Sequence, residues 1–136
     1  MEYAISTRLD VSPERFNEVE ERLREILQSK GFGILTEIDV KETLKKKLNV
    51  EYTPYKILGA CNPPRAHRAL QAEPDIGVLL PCNVILYVEG NNIIVSAMNP
   101  ASALGFVENS EIDSVGKEVE EIMREVVSEV EDSFKN

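Results

Sequence analysis

The sequence predicts an α+β domain in which two long helices pack on one face of a single antiparallel sheet. Short segments with alternating apolar and polar residues predict the strands, and two long apolar stripes at helical spacing, one near each end of the chain, predict the helices. With 136 residues, of which 43% are hydrophobic, the chain is long enough to bury roughly two thirds of its unfolded surface. We therefore expect one domain spanning residues 1–136.

The N-terminal part predicts a strand followed by the first long helix. Apolar and polar side chains alternate in residues 2–9, as in a half-buried strand. Ser12 suits the N-cap of the helix and Pro13 its first position, and Gly31 or Gly33 is expected to end it. The apolar stripe of this helix consists of Phe16, Val19, Leu23, Ile26 and Leu27.

Two further short strands are predicted in the middle of the chain. Residues 33–39 form the first of them, and Asp39 followed by Glu42 resembles a capping box that opens a short helix. Residues 55–61 form the next strand.

Residues 82–100 predict a β-hairpin, because two alternating apolar runs flank Gly90–Asn91, a two-residue turn in which glycine supplies a positive φ. This turn sets the register of the hairpin. The predicted cross-strand pairs are Glu89–Asn92, Val88–Ile93, Leu86–Val95, Val84–Ala97, Asn83–Met98 and Cys82–Asn99.

The register gives the hairpin two different faces. The face that we assign to the core carries Cys82, Val84, Leu86, Val88, Ile93, Val95 and Ala97. The opposite face carries Asn83, Ile85, Tyr87, Ile94, Ser96 and Met98. This second face is too apolar to be left in water and too few helices remain to cover it, so it should line a cavity or meet a second subunit. We expect a homodimer that forms through Ile85, Tyr87, Ile94 and Met98.

The second long helix is predicted to begin near Ser110 and to run for about 22 residues, or about 33 Å. Its apolar stripe consists of Val115, Val119, Ile122, Met123, Val126, Val127, Val130 and Phe134. A stripe of this kind is what a helix needs to cover a sheet.

The net charge of −9 argues against nucleic acid as a partner, because that affinity rests on cationic side chains that replace counterions. The sequence has two cysteines, no signal-like N-terminal segment and no long apolar run. These features predict a cytoplasmic protein that does not enter a membrane. Residues 39–70 reverse the general charge, with seven basic and three acidic side chains.

This basic segment contains the stretch GACNPPRAH, residues 59–67, where the strand at 55–61 meets the next helix. Asn62 suits the N-cap, and Pro63 and Pro64 suit the first helical positions. Unpaired backbone N–H groups and the positive end of the helix dipole would then lie beside Cys61, which favours a small anionic ligand and a more acidic thiol. The predicted ligand-binding residues are Cys61, Asn62, Arg65, His67, Asn83 and Asn99.

Two other functions stay open. In the first, Cys61 acts as a nucleophile or sulfur carrier, His67 accepts a proton and Cys82 is the resolving thiol. In the second, the same three side chains hold a metal ion, although their spacing is not typical of zinc sites. A plain packing role is the expected role of Cys82 and an open alternative for Cys61.

The chain contains neither a phosphate-binding glycine loop nor a nucleophile elbow. We therefore expect a binding module rather than an enzyme, with no cofactor and no resident metal.

Residues 57–87, ILGACNPPRAHRALQAEPDIGVLLPCNVILY, resemble the signature of the domain of unknown function family three hundred and two, a group of small bacterial and archaeal proteins. The resemblance rests on Cys61, Asn62, Pro63, His67, Ala69, Leu70, Pro74, Gly77, Pro81, Cys82 and Asn83. It implies a compact domain similar to half of the TATA-box binding protein, with an antiparallel sheet, helices on one face and dimers. It implies neither DNA binding nor a particular reaction.

Overall fold

A computed structural model describes residues 2–135 of the chain. The strands are β1 (Ala4–Leu9), β2 (Gly33–Asp39), β3 (Tyr55–Cys61), β4 (Cys82–Glu89) and β5 (Asn92–Met98). The helices are α1 (Phe16–Ser29), α2 (Val40–Leu48), α3 (Pro63–Ala72), α4 (Pro100–Ala103) and α5 (Ser110–Ser133), and Pro13–Arg15 and Pro74–Leu79 are 3₁₀ segments. The predicted α+β class with a single antiparallel sheet is confirmed.

The five strands lie in the order β1-β5-β4-β3-β2, and every neighbouring pair is antiparallel. The first and second strands of the chain are therefore the two edges of the sheet. The order also places the end of β3 beside the start of β4, where Ala60 lies opposite Cys82.

The first long helix begins differently from the prediction. The Ser12 side chain accepts a hydrogen bond from the Glu14 N–H, but the residues that follow form a 3₁₀ turn, and the α-helix itself starts at Phe16. All five residues of the predicted stripe are buried, and the helix ends just before Gly31, which has a φ of +85°.

The hairpin register is confirmed from Glu89–Asn92 to Val84–Ala97. The last two predicted pairs, Asn83–Met98 and Cys82–Asn99, are not part of this ladder. Met98 pairs with Ala4 of β1, and Asn99 leaves the sheet because it is the N-cap of α4.

The hydrophobic core lies between the predicted face of the hairpin and the two long helices. Val84, Leu86, Ile93, Val95 and Ala97 are completely buried. The stripe of α5 is buried against them except for Ile122, which is only partly covered. Each fully buried Val, Leu or Ile side chain contributes about 1.5–3 kcal/mol to folding, so this contact holds both helices to one side of the sheet.

The opposite face of the hairpin is only partly exposed. Asn83 is exposed, and Ile85, Tyr87 and Met98 are half-buried, whereas Ile94 and Ser96 are 6% and 7% exposed. Neighbouring side chains on the sheet contribute to this cover, since Tyr87 stacks on Tyr55 of β3 with ring centroids 5.0 Å apart.

Candidate functional site

The junction between β3 and α3 is built around the buried side chain of Asn62. Its Oδ1 accepts a hydrogen bond from the Arg65 N–H at 3.2 Å, as predicted for an N-cap. Its Nδ2 donates to the Gly31 carbonyl at 3.3 Å. The amide therefore caps α3 and ties it to the turn that follows α1.

The first turn of α3 has no free backbone donor, so the predicted unpaired N–H groups beside Cys61 are absent. Pro63 and Pro64 have no N–H, and the next two N–H groups, of Arg65 and Ala66, donate to the side chain and carbonyl of Asn62. The prediction was wrong because the capping residue uses the donors that it was expected to leave open.

The cationic side chains of α3 bind carboxylates of α5. Arg65 Nε lies 3.1 Å from Glu118 Oε1, and Arg68 reaches both Glu118, at 3.0 Å, and Glu111, at 2.7 Å. Hydrogen bonds from Arg68 and then Arg65 hold the pKa of Glu118 below its ordinary value. The positive charge that the sequence places at this junction is therefore balanced by the last helix.

An apolar cavity of about 290 Å³ lies at this end of the sheet. Carbon atoms form most of its wall, which comes from the chain before β2, the end of β3, α3, the segment before β4, and the region from α4 to α5. Its lining residues are Phe32, Leu35, Ala60, Cys61, Asn62, Arg65, Ala66, Ala69, Leu70, Gly77, Leu80, Pro81, Cys82, Leu104 and Val115.

Gly59 allows one wall of the cavity to approach the sheet. A Cβ atom at this position would lie 2.1 Å from Thr36 Oγ1 and 2.8 Å from Pro81 Cγ. Both distances are well below a van der Waals contact, so Pro81 keeps its place against β3 only because residue 59 has no side chain.

Both cysteines of the chain are free thiols that line this cavity. Cys61 is half-buried, whereas Cys82 is 7% exposed. Burial, and then the nearby charge of Cys61, raise the pKa of Cys82 to about 11. At neutral pH Cys82 is therefore a protonated, buried thiol, in line with the packing role considered from the sequence.

The structure brings together only half of the predicted ligand-binding residues. Cys61, Asn62 and Arg65 line the cavity. His67 is exposed on another face of α3, and Asn83 is exposed on the opposite face of the sheet. Asn99 is buried, but its side chain caps α4 by accepting from the Ala101 N–H at 3.1 Å and donates to the Glu2 carbonyl at 3.2 Å.

Several cavity residues were missed in the sequence. Gly77 and Pro81 belong to the family signature, which pointed toward them without giving a role. Leu104 and Val115 come from a distant part of the chain. The sequence placed Val115 in the apolar stripe of the last helix but gave no sign that either residue lines a cavity, because only the packing of α5 against the sheet brings them there.

Two further features concern metals and membranes. Within residues 2–135, no group of three or more His, Cys, Asp and Glu side chains is arranged to hold a metal ion. The alternative of a metal site formed by Cys61, Cys82 and His67 lacks its third ligand, because His67 is exposed on the solvent side of α3. None of the helices in the same part of the chain is both long and apolar enough to span a membrane.

These observations define an α+β domain with an apolar, thiol-lined cavity at a strand-to-helix junction. The chain belongs to the family described as domain of unknown function DUF302, whose sequence profile matches residues 9–130. This result confirms the resemblance seen in residues 57–87.

The fold is similar to the crystal structure of the uncharacterized conserved protein DUF302 from Bacillus stearothermophilus, with a TM-score of 0.82 and 26% sequence identity. The match covers 99% of this chain and 100% of that one. No curated protein matches the sequence.

Proposed function

We propose that this domain binds a small, uncharged and mainly apolar molecule in the cavity beside Cys61. The cavity itself, about 290 Å³ with a wall of apolar side chains, carries the proposal. A cavity of about 150 Å³ in another protein is known to hold benzene, so this one has room for roughly a dozen non-hydrogen atoms.

The polarity of the wall supports an uncharged ligand over the anion expected from the sequence. Both the oxygen and the nitrogen of the Asn62 side-chain amide are hydrogen-bonded within the protein, and the guanidinium of Arg65 is bound to Glu118. An anion entering the cavity would lose its water without gaining a free donor, which is costly. An apolar ligand has no such hydration to lose when it enters the cavity.

Titration of the ¹⁵N-labelled protein with benzene and with indole tests this proposal. We expect saturable chemical-shift changes centred on the residues of α3 and the 74–82 segment. Ala66→Leu places three extra carbons at the cavity wall and should weaken binding at least about tenfold. His67→Leu is the control, because it places a leucine at the next position of α3, where the side chain is exposed and does not line the cavity.

Two results would contradict the proposal. One is the absence of any saturable shift up to the solubility limit of both probes. The other is equal affinity in the wild type and the Ala66→Leu variant, which would place the bound probe elsewhere.

The anionic ligand has a separate test, because Glu118 occupies both guanidinium groups. If these arginines form a latent anion site, Glu118→Gln should bind inorganic phosphate at least about tenfold more tightly than the wild type. Glu125→Gln, on the same helix, is the control. Strong phosphate binding by the unmodified protein would restore the anionic ligand as the leading candidate.

Thiol chemistry is a second candidate function, favoured by the position of Cys61 at the cavity wall. His67 is exposed on another face of α3, so this chemistry would have to proceed without it as the proton acceptor. The pH profile of iodoacetamide alkylation, measured separately for Cys61 and Cys82 by peptide mass spectrometry, tests this candidate. Rapid modification of Cys61 at neutral pH, unchanged in His67→Ala, would support it, and inert Cys61 would end it.

We also propose that the partly exposed sheet face forms a homodimer. All four tyrosines of the chain, Tyr3, Tyr52, Tyr55 and Tyr87, line one groove of about 540 Å³ on this face. Five strands about 4.8 Å apart, each about seven residues long, give a face of about 24 by 24 Å. Two such faces would bury about 1,100 Å² in total, which is just above the roughly 1,000 Å² that a biological interface should exceed.

Sedimentation velocity of the full chain tests the dimer. We expect a dimer at micromolar concentration in the wild type and a monomer in Ile85→Lys, because a charge would be buried without a partner. Phe106→Lys is the matched control, since Phe106 is 72% exposed and lies outside the groove. A monomeric wild type would refute this interface.

A further inference from the structure

A second apolar site of the domain is a surface groove of about 300 Å³. Its walls come from the 3₁₀ segment Pro74–Leu79 and from the loop at residues 104–109, which joins α4 to α5. The apolar side chains that line it are Ile76, Val78, Leu79, Phe106 and Val107. None of these residues lines the cavity beside Cys61, so the groove is a separate site.

The walls of the groove carry apolar side chains that the core does not use. Val78 and Phe106 are 86% and 72% exposed, which makes them two of the three most exposed large apolar side chains among residues 2–135. The same two segments supply the core with Ile76 and Leu104, which are 2% and 3% exposed. Because exposed apolar groups gathered at one place mark an interaction surface, Val78 and Phe106 are the natural contacts of a partner.

Hydrogen bonds hold the two walls in a fixed position. The Asn109 side chain donates from Nδ2 to the Ala72 carbonyl at 3.1 Å, which ties the loop to the end of α3. The Ile76 N–H donates to the Glu73 carbonyl at 2.9 Å and closes the first turn of the 3₁₀ segment. A partner therefore meets a groove that is already formed, and little conformational entropy is lost when it binds.

Carboxylates surround the apolar part of the groove. Glu73 and Asp75 belong to its lining, and Glu108 is exposed directly after Phe106 and Val107 in the loop. Within residues 2–135, none of these three carboxylates forms an ion pair. A cationic partner would gain their attraction without breaking an existing pair.

The same charges argue against two other occupants. A second copy of the chain seated on this groove would bring identical carboxylates together, and like charges across an interface are unfavourable. An anionic membrane surface attracts basic segments and would repel this rim. Addition of a peptide strand requires a sheet edge, whereas both walls of the groove lie outside the sheet.

We propose that this groove binds a basic amphipathic helix of a partner protein. Apolar side chains at positions i and i+4 of that helix enter the groove between Val78 and Phe106, and its Lys and Arg side chains reach the carboxylate rim. The volume is about twice the roughly 150 Å³ that holds benzene in another protein, so the groove has room for two bulky apolar side chains.

Fluorescence anisotropy of a labelled synthetic helix of Leu and Lys, with all leucines on one face, tests the proposal. Titration with the full chain should saturate at one peptide per chain. A peptide of the same composition with its leucines spread around the helix should bind at least about tenfold more weakly. A Leu and Glu peptide with the original pattern should lose at least as much affinity. In the ¹⁵N-labelled protein, the chemical-shift changes should centre on residues 73–79 and 104–108.

Variants of the two exposed apolar residues test the location. Val78→Ser and Phe106→Ser should each weaken binding of the Leu and Lys peptide at least about tenfold, because apolar anchors carry most of the energy of such an interface. Both positions are exposed, so the variants should fold normally, which circular dichroism checks. Leu48→Ser is the matched control, since Leu48 is 65% exposed and lies outside the groove.

A second pair of variants tests the charge. Glu73→Gln/Asp75→Asn should weaken binding and should also reduce its dependence on NaCl, because part of the screened attraction is gone. Glu14→Gln/Glu121→Gln removes the same charge at exposed positions outside the groove and should leave the affinity nearly unchanged. Equal effects of the two double variants would show that only the net charge matters and would overturn the assignment of the rim.

Three other results would overturn the proposal. The first is equal affinity of the Leu and Lys peptide for the wild type and Phe106→Ser, or no saturation at all. The second is a wild-type dimer in sedimentation velocity that dissociates in Phe106→Ser, which would assign the groove to a second copy. The third is binding to phosphatidylserine vesicles that Phe106→Ser abolishes, which would assign it to a membrane surface.

Discussion

The buried thiol of Cys82 makes the stability of this protein depend on alkaline pH. Burial raises the pKa of Cys82 from 9.0 to about 11 in the folded chain. Between these values the unfolded chain has lost the thiol proton while the folded chain retains it, so the free energy of unfolding falls as the pH rises. The contribution is fully present below about pH 8 and is lost as the pH rises through about 11. Two pKa units correspond to about 3 kcal/mol.

Urea unfolding, followed by circular dichroism under reducing conditions from pH 7.5 to 11, measures this effect. Tyrosines and lysines titrate in the same range, so the useful quantity is the difference between the wild type and Cys82→Ala. The variant should be less stable at neutral pH because it loses packing. From pH 7.5 to 11, however, its free energy of unfolding should fall less than that of the wild type, by a difference of up to about 3 kcal/mol. Parallel curves for the two proteins would refute the reasoning.

Three further changes have outcomes that thermal or urea unfolding can check. Gly59→Ala should lower the free energy of unfolding by about 1–3 kcal/mol, because the new Cβ overlaps two neighbouring groups. Adding Thr36→Ala to this variant should recover part of the loss. An unchanged stability in Gly59→Ala would mean that the close approach is not rigid. Asn62→Ala should cost about 1–2 kcal/mol, since the cap of α3 is lost, and an unchanged midpoint would show that α3 starts without it. Met123→Ala, at a fully buried position, should cost about 2–5 kcal/mol, whereas Val78→Ala, at a position 86% exposed, should stay within about 0.5 kcal/mol; similar losses in both would contradict the assigned core.

Local sequence patterns were sufficient to find most of the elements. The strands at 33–39 and 55–61 have the predicted bounds, because alternation and flanking turn residues act over a few positions. The strand order was out of reach. β1 pairs with β5, about ninety residues away. Turn residues predict pairing only between strands that follow each other closely in the sequence.

The candidate site shows the same division between local and distant information. The cap at Asn62 was readable because its partner is three residues away. The neutralisation of the α3 arginines could not be predicted, because their partners Glu111 and Glu118 lie on the last helix. A count of charges by segment does not show which segments are in contact. The position of His67 outside the cavity could have been predicted from the sequence. At about 100° per residue, His67 does not share the helix face of Ala66 and Ala69.

The wall of the cavity joins parts of the chain that are far apart in sequence, from Phe32 before β2 to Val115 in α5. No fragment of the chain can form this wall alone, so the cavity exists only in the completely folded domain. Any occupant therefore acts as a folding ligand. At a free concentration of about 100 times its Kd, it would add about 2.7 kcal/mol to the stability of the whole domain, and a cell that supplies the occupant would also protect this protein from proteolysis.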